Sequence, residues 1–399
     1  MGEWKNCTLS SLGTIVGGAT PSTKKPENYE GGEIPWITPK DLSGFSGRYI
    51  SCGERNITEI GLKSCSAQMM PKHSVLFSSR APIGYVAISD CDVCTNQGFK
   101  SIVPNKDTDY LFLYYLLLYK KHEIENLGSG TTFKEVSAST MKGIEVRVPV
   151  DKGEQERIAG ILSALDDKIE SNAHINENLL EQASTLFNSA IQQSTSVVYA
   201  ELGSLAEVKG GKRLPKGVNL VTTPNQHPYI RVRDLNNTVF ASLSNDYEYV
   251  DDETQQSISR YTVSTGDLLI SIVGTIGLTA IVDHTLNKAN LTENCVKLTN
   301  IKNVTPEYLL LFLRSLQGVE AISKGTVGAV QLKLPIKNIQ SITVPLLCDE
   351  ELQPLQETLS AIFSQISANI VEMKQLADIR DTLLPKLMSG ELDVSSLDI

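Results

Sequence analysis

The chain of 399 residues has no long apolar run and no export signal. Its longest apolar stretch, YLFLYYLLLY at 110–119, has ten residues and is too short to cross a bilayer. The amino terminus, MGEWKNCTLSS, lacks the apolar core of a signal peptide. The chain has seven cysteines, an odd number. This count favours a protein with reduced, unpaired cysteines over one held together by disulfides. The sequence therefore predicts a cytoplasmic protein with no membrane partner.

Motifs that carry chemistry are also scarce. The five histidines are dispersed and show neither metal-ligand nor catalytic-triad spacing. Cys91 and Cys94 form a C-x-x-C without a second pair, so buried or incidental thiols are favoured over a zinc or redox site. No G-x-x-x-x-G-K-[ST] phosphate loop occurs, which argues against ATP hydrolysis. We expect no catalytic residue, no metal and no cofactor bound by this chain.

Charge is distributed unevenly along the chain, whose net charge is −10. Residues 1–150 carry 16 basic and 15 acidic side chains, and residues 196–346 carry 14 and 13. The excess of acid lies in residues 151–195, with 3 basic against 8 acidic, and in residues 347–399, with 3 against 10. Two nearly neutral segments thus alternate with two acidic ones.

The two neutral segments repeat one another. VLFSSRAPIGYVAI at 75–88 matches LLISIVGTIGLTAI at 268–281 at an offset of 193 residues, and TNQGFK at 95–100 matches TENCVK at 292–297 at an offset of 197. Apolar runs rich in β-branched residues predict strands, and apolar density predicts one helix near 107–126 and its counterpart near 305–323. Each copy is therefore predicted to be a mixed α/β module with a largely antiparallel sheet.

The two acidic segments share a heptad pattern of apolar residues and superpose at an offset of 197. This pattern predicts two long helices, at 151–195 and 347–390, that pair antiparallel as a coiled coil. Asn172 and Asn369 interrupt the apolar stripe at the same frame position. A contact between the two amides would fix the helix register, whereas the simpler interpretation is a polar residue at a loosely packed turn.

The predicted fold class is α+β, with an internal pseudo-two-fold repeat. Two homologous mixed α/β domains, residues 1–150 and 196–346, are separated by the two helices, and residues 391–399 form a tail. Two like modules on a helical spacer could hold two readers on one DNA duplex.

Several blocks, in their order along the chain, resemble the specificity subunit of Type I restriction–modification systems. They are IPWITPKDL, SVLFSSRAPIGYVAI, TNQGFKSI, GSGTTFKEVS, EQERIAGILSALDDKI and LLPKLMSGELDV. The resemblance implies two target recognition domains, each reading one half of a bipartite double-stranded DNA target. It also implies docking of two methyltransferase subunits that methylate adenine, joined by restriction/translocase subunits.

The same resemblance assigns S-adenosylmethionine, ATP and Mg²⁺ to the partner subunits. The chain lacks the Asn/Asp-Pro-Pro-aromatic tetrapeptide of adenine methyltransferases, in agreement with a subunit that has no catalysis of its own. The alternative is an adaptor with two protein-interaction modules and no DNA role.

We expect DNA contacts on loops that differ between the copies, although a solvated surface charge is the simpler interpretation of any one residue. Arg231 and Arg233 are predicted on one face of a strand, with Arg233 equivalent to Lys40. The candidates in the first copy are Thr20, Ser22, Lys24, Lys25, Lys40, Arg48, Arg80, Thr131, Thr132 and Lys134; those in the second are Lys212, Arg213, Lys216, Arg231, Arg233, Lys324, Gln331 and Lys333. Candidates for methyltransferase docking are Glu154, Glu156, Arg157, Asp167, Glu350 and Glu351.

Overall fold

The structure, a computed structural model, describes residues 2–45, 47–130, 134–236, 238–328 and 331–394. The chain divides into two compact units, one made of the residues up to Asn172 and from Glu372 onwards, the other of Ala173–Val371. Each unit contains one module and one half of each long helix. Among the described residues, no helix is both long enough and apolar enough to cross a membrane.

The first module is built on a five-stranded sheet with two smaller sheets beside it. All neighbours in the main sheet are antiparallel except the last pair, which is parallel. The main sheet has the order Gly13–Gly17, Lys100–Pro104, Val75–Ser79, Ile83–Ser89, Tyr49–Ile50; the smaller sheets are Trp4–Thr8 with Glu145–Pro149, and Arg55–Ile57, Ile34–Ile37, Cys94–Thr95. Its helices are Leu9–Leu12, Glu59–Lys63, Tyr110–Asn126 and Ala138–Gly143, with a 3-10 turn at Pro26–Asn28.

The second module repeats this arrangement with the same order in its main sheet, but one of its smaller sheets has two described strands where the first module has three. Its main sheet again ends in a parallel pair. The order is Glu207–Gly210, Cys295–Thr299, Leu268–Ser271, Thr279–Val282, Phe240–Ala241; the smaller sheets are Val198–Glu201 with Thr343–Leu346, and Tyr229–Ile230 with Asn290–Leu291. Its helices are Leu202–Leu205, Asp252–Ile258, Pro306–Arg314, Leu316–Gly325 and Ile336–Gln340, with 3-10 turns at Val232–Leu235, Ser259–Tyr261 and His284–Leu286. The predicted repeat of a mixed α/β fold is confirmed.

Strand pairing corrects the predicted alignment by one residue in the middle of the modules. Val75 pairs with Ile102 in one sheet, and its counterpart Leu268 pairs with Leu298 in the other. Ile102 therefore corresponds to Leu298 at an offset of 196 residues, whereas the sequence alignment predicts an offset of 197 residues.

The single helix predicted near 305–323 is wrong, because the second module breaks it at Ser315. Ser315 has an extended backbone, and its side chain accepts a hydrogen bond from the Gly318 N–H. This hydroxyl caps a new helix and so ends the preceding one at Arg314. The counterpart in the first module, Tyr110–Asn126, runs uninterrupted.

The two long helices, Lys152–Gln193 and Asp349–Met388, pack antiparallel within each unit. In the first unit Arg380 Nη1 donates to Asp166 Oδ1 at 2.7 Å, and Asn172 Nδ2 donates to Glu372 Oε2 at 2.7 Å. Residue numbers therefore rise along one helix as they fall along the other. In the second unit Asn369 Nδ2 donates to Asn176 Oδ1 at 2.8 Å. The predicted antiparallel pairing is confirmed.

The predicted contact between Asn172 and Asn369 is wrong in its partners. Both side chains are buried, with 1% and 6% of their surface exposed. Each amide, however, bonds to a residue of the opposite helix inside its own unit, because the antiparallel register places Glu372 and Asn176 across from them. Both asparagines thus lie in the helix seam, but as two separate polar contacts.

The two units differ in the chemistry of the seam between module and helices. In the first unit the Tyr115 hydroxyl donates to Asp166 Oδ2 at 2.5 Å, and Arg380 binds the other oxygen of this carboxylate. The Asp166 side chain is only 8% exposed. At the equivalent positions the second unit has apolar, buried residues: Leu311, Phe363 and Ala183.

We predict that Arg380→Ala destabilises the first unit by about 3 kcal/mol, because it leaves the buried Asp166 carboxylate without its cation. The triple change Tyr115→Leu, Asp166→Phe, Arg380→Ala copies the second unit and should recover most of that loss. Thermal and urea unfolding of the full chain check both. An Arg380→Ala variant as stable as the parent chain would contradict this reading of the seam.

Candidate nucleic-acid interface

Two loops of the first module are fastened side by side. The Ala19 N–H donates to the Thr95 carbonyl at 3.0 Å, and the Trp36 indole N–H donates to the Ala19 carbonyl at 3.0 Å. Any side chain at residue 18 would place its Cβ 2.1 Å from the Asn96 carbonyl oxygen, so this close approach requires Gly18. The contacts join the loop after the Gly17–Gly18 pair to the loop after strand Cys94–Thr95.

The second module fastens the equivalent loops in the same way. The Lys212 N–H donates to the Leu291 carbonyl at 2.8 Å, and the Tyr229 hydroxyl donates to the Lys212 carbonyl at 2.8 Å. A Cβ at residue 211 would lie 2.0 Å from the Thr292 carbonyl oxygen. Tyr229 takes the place of Trp36, and glycine is again required. We call this shared arrangement of backbone contacts the loop frame.

The tip of each loop frame carries a pair of side chains that bond to each other. In the first module the Thr20 hydroxyl donates to Gln97 Oε1. In the second module Arg213 Nε donates to Glu293 Oε1 at 2.7 Å. Burial raises the pKa of the Glu293 carboxyl, but hydrogen bonds from Arg213, from its own backbone N–H and from Thr292 outweigh burial and hold the pKa below its usual value. The two tips thus occupy equivalent positions in the two modules but carry different side chains.

Thr20 and Arg213 are among the predicted DNA contacts, and their hydrogen-bond partners Gln97 and Glu293 are not. Alignment of the two copies by sequence alone places Gln97 opposite Asn294. Both side chains are neutral amides, so this pair does not indicate a difference in DNA recognition. Only the corrected offset of 196 residues brings Gln97 and Glu293 into correspondence.

Lysines lie close in sequence to Thr20 and to Arg213. Lys24 and Lys25 are exposed in the first module, and Lys216 is exposed in the second; none of the three forms an ion pair with a described residue. The Lys212 ammonium lies 5.4 Å from the ring centroid of Tyr261. Ser22, also exposed, uses its carbonyl to accept from Asn28 Nδ2 at 2.9 Å. These exposed cations suit phosphate contacts.

Lys40, Arg231 and Arg233, all predicted DNA contacts, already have acidic partners. Lys40 Nζ lies 2.6 Å from Glu54, and Arg231 and Arg233 both bind Glu248. The predicted strand through Arg231 and Arg233 is wrong: the strand ends at Ile230, because the chain turns into a 3-10 helix at Val232–Leu235.

Asp234 explains this turn. Its Oδ2 accepts from the Arg231 N–H at 2.7 Å, as Asp41 Oδ2 accepts from the Thr38 N–H at 2.7 Å in the first module. Both aspartates therefore form turns.

Arg48 as a DNA contact is wrong, because its side chain is only 5% exposed. Its guanidinium binds Asp167 and also donates to Glu170 at 3.2 Å, both on the first long helix. Arg48 thus fastens the sheet of the first module to that helix. The same contact occupies Asp167, which was predicted to dock a partner.

The remaining candidates lie on a second pair of loops or, for Lys324, in the helix Leu316–Gly325 that leads into one of them. Arg80 lies 3.5 Å from Glu135, and Lys134 beside it is exposed. In the second module Lys324 pairs with Glu320 at 3.4 Å, while Gln331 and Lys333 are exposed. Thr131 and Thr132 lie outside the described residues.

Some of the predicted docking residues are buried or partly buried, and others are exposed. Glu154 is buried, with 3% of its surface exposed, so its prediction as a docking residue is wrong; it packs against the backbone at Gly2. Glu156, Glu350 and Glu351 are exposed. Arg157 is half-buried and lies 3.7 Å from Asp151.

The described residues contain no cluster of histidine, cysteine and acidic side chains that could hold a metal ion. Cys94 is buried, and burial raises the pKa of its thiol to about 12. Its Sγ lies 3.5 Å from the Pro35 carbonyl oxygen. Such a thiol packs in a core and is a poor nucleophile or ligand.

A duplicated mixed α/β module with exposed polar loop tips, together with two paired long helices, defines the class of this protein. The family model described as "Type I restriction modification DNA specificity domain" matches the chain twice, at residues 1–181 and 196–380. The chain belongs to the family of Type I restriction–modification specificity subunits, and the predicted family is confirmed.

Individual proteins similar to this chain are also Type I specificity subunits. The chain is 31% identical to the Type I restriction enzyme MjaIX specificity subunit of Methanocaldococcus jannaschii over 417 aligned positions, covering 99% of this chain and 95% of that one. It is 31% identical to the EcoR124I/EcoR124II specificity subunit of Escherichia coli over 170 positions, 41% of each chain. The fold is similar to that of the S subunit of a Type I system from M. genitalium, with a TM-score of 0.58, 20% identity, and coverage of 99% of this chain and 97% of that chain.

The loop frame predicts a matched pair of effects. Trp36→Phe removes the hydrogen bond to the Ala19 carbonyl, and Tyr229→Phe removes its counterpart to Lys212, each at a cost of about 1 kcal/mol. Hydrogen exchange should accelerate at residues 19–25 in the first variant and at residues 212–218 in the second. Each variant serves as the control for the other; acceleration in both loops from one change would contradict two separate frames.

Proposed function

We propose that the chain is the DNA-reading, non-catalytic subunit of a Type I complex, and that each module reads one half of a bipartite target. The observation that carries this proposal is the repeated loop frame with different side chains at its tip. A shared backbone places both tips alike, while different tip chemistry gives each module its own sequence preference.

The charge pattern supports contacts that depend on hydrogen-bond geometry more than on bulk charge. The modules are nearly neutral, and several of their arginines and lysines are already paired with acids. The exposed lysines at the tips supply local phosphate contacts, and the tip pairs supply base contacts.

The partners follow from the family. Two methyltransferase subunits would dock on the helix-bearing part of the chain, where Glu156, Glu350 and Glu351 offer exposed acids, and would methylate adenine in each half-site. Restriction/translocase subunits would join that complex. S-adenosylmethionine, ATP and Mg²⁺ would be bound by those partners, and this chain would contribute no catalytic group.

The test is sequencing of methylated adenines in cells that express this chain with its methyltransferase partner, against cells that express the partner alone. We expect a bipartite motif that appears only when both are present. Exchange of residues 1–150 for those of another specificity subunit should change one half of the motif and keep the other. Soluble complex without any chain-dependent methylation would contradict the proposal and favour the protein-interaction adaptor.

The long helices predict the gap between the half-sites. They contain 42 and 40 residues. Inserting one heptad in each, at facing positions, preserves the apolar seam and adds about 10 Å, or about three base pairs. The methylation motif should keep both halves and lengthen its gap. Insertion of a heptad into one helix alone is the control, since it breaks the seam and should destabilise the chain. An unchanged gap in the double insertion would contradict a spacer role.

A further inference from the structure

We infer that the tip pair of each loop frame reads one base pair, and that the two pairs read different bases: Arg213, held by Glu293, reads guanine, and Gln97, held by Thr20, reads adenine. This inference rests on the proposed function and adds to it which residues read and what class of base each prefers.

The first step is that both pairs occupy one position. Ala19 and Lys212 each accept a hydrogen bond from the same aromatic position, Trp36 or Tyr229. The following loop is anchored alike, since the Asn96 N–H donates to the Ile37 carbonyl at 3.0 Å, and the Thr292 N–H donates to the Ile230 carbonyl at 3.0 Å. The residues one step beyond these anchors therefore superpose: Thr20 on Arg213 and Gln97 on Glu293.

The anchors extend to the turn that carries Gln97 and Glu293. Asn96 Oδ1 accepts from the Gly98 N–H at 2.8 Å, and Thr292 Oγ1 accepts from the Asn294 N–H at 3.5 Å. In both modules a short polar side chain thus stabilises the turn two residues on. The backbone under each tip is the same, so the change of side chain is the difference between the modules at this point.

The geometry of Arg213 leaves its reading groups free. Its Nε is engaged by Glu293, and no described residue accepts from its two terminal nitrogens. The side chain is 80% exposed. A guanidinium fixed at Nε presents two parallel N–H groups outward, which match O6 and N7 of guanine. The half-buried Glu293 carboxylate orients the guanidinium.

Gln97 offers a different pattern. Its Oε1 accepts from the Thr20 hydroxyl and keeps a second lone pair, while its Nε2 donors have no described partner. Both residues are exposed. An amide that donates and accepts side by side matches N7 and N6 of adenine in the major groove. The hydroxyl orients the amide as Glu293 orients Arg213.

Folding stability gives no sufficient reason for these pairs. An ion pair as exposed as Arg213–Glu293 contributes little to the free energy of unfolding, because solvent screens it and ordering two long side chains costs entropy. The pairs also lie outside the hydrophobic cores of both modules.

The experiment exchanges the tip chemistry in the full chain, assembled with its methyltransferase subunits. One variant carries Arg213→Thr and Glu293→Gln, and the reciprocal variant carries Thr20→Arg and Gln97→Glu. The matched control is Lys209→Thr with Glu207→Gln, which removes another exposed ion pair of the second module. Binding is measured on a pool of DNA in which each position of the parent target is varied singly, and bound molecules are sequenced.

The parent chain must first show its bipartite motif on this pool; if it does not, the proposed function fails, independently of the tip inference. Given that motif, Arg213→Thr with Glu293→Gln should lower the preference for guanine at one position of one half-site by about tenfold, with the other half unchanged. The reciprocal variant should lose a preference for adenine in the other half. The control should keep every preference.

Two results would overturn the inference. The first is a set of preferences unchanged at every position in both exchange variants. The second is uniform weakening at all positions with preferences intact, which would make Arg213 a phosphate contact. Unfolding of a variant is monitored by its melting temperature, and the unchanged half-site reports that the complex is assembled.

Discussion

The antiparallel packing of the two long helices is the constraint on which both units depend. The core of the first unit includes Ile158 and Leu162 from the first helix and Leu387 and Met388 from the second. The core of the second unit includes Phe187 and Phe363, again one from each helix. Each module thus packs against residues of both long helices, and for the first module the second of these helices comes from the opposite end of the chain. Burial of this apolar seam joins segments that are distant in sequence.

The two long helices are similar in sequence pattern, which raises the question of what distinguishes the contact between module and helices in one unit from that in the other. The first unit joins its module to the helices through Arg48, Asp166 and Arg380, the second through apolar side chains such as Phe363. A buried Asp166 is satisfied only opposite Arg380, because an apolar residue in that place would leave a charge without a partner. The polar contacts therefore distinguish the two seams, as a single polar seam residue does in coiled coils.

The sequence predicted the repeat, the antiparallel helices and the mixed modules, because apolar periodicity and block order are local signals. It failed where a single side chain redirects the backbone. Ser315 splits a helix by capping, and Asp234 ends a strand by accepting from Arg231. It also failed at Arg48, because the identity of the residue does not reveal whether an arginine is exposed on a loop or buried in an ion pair. Which charges remain free is decided by tertiary contacts that no period in the sequence encodes.

The loop frame unites the fold with the proposed reading of DNA. Its contacts are made by backbone atoms, by a required glycine and by one aromatic side chain, and none of them involves a side chain of the tip. Thr20 with Gln97 and Arg213 with Glu293 are two solutions on that support. Under the proposed function, a module built in this way can change the base it prefers without changing its core. Under the same proposal, duplication then yields two independent preferences, because each module has its own loop frame and its own tip pair.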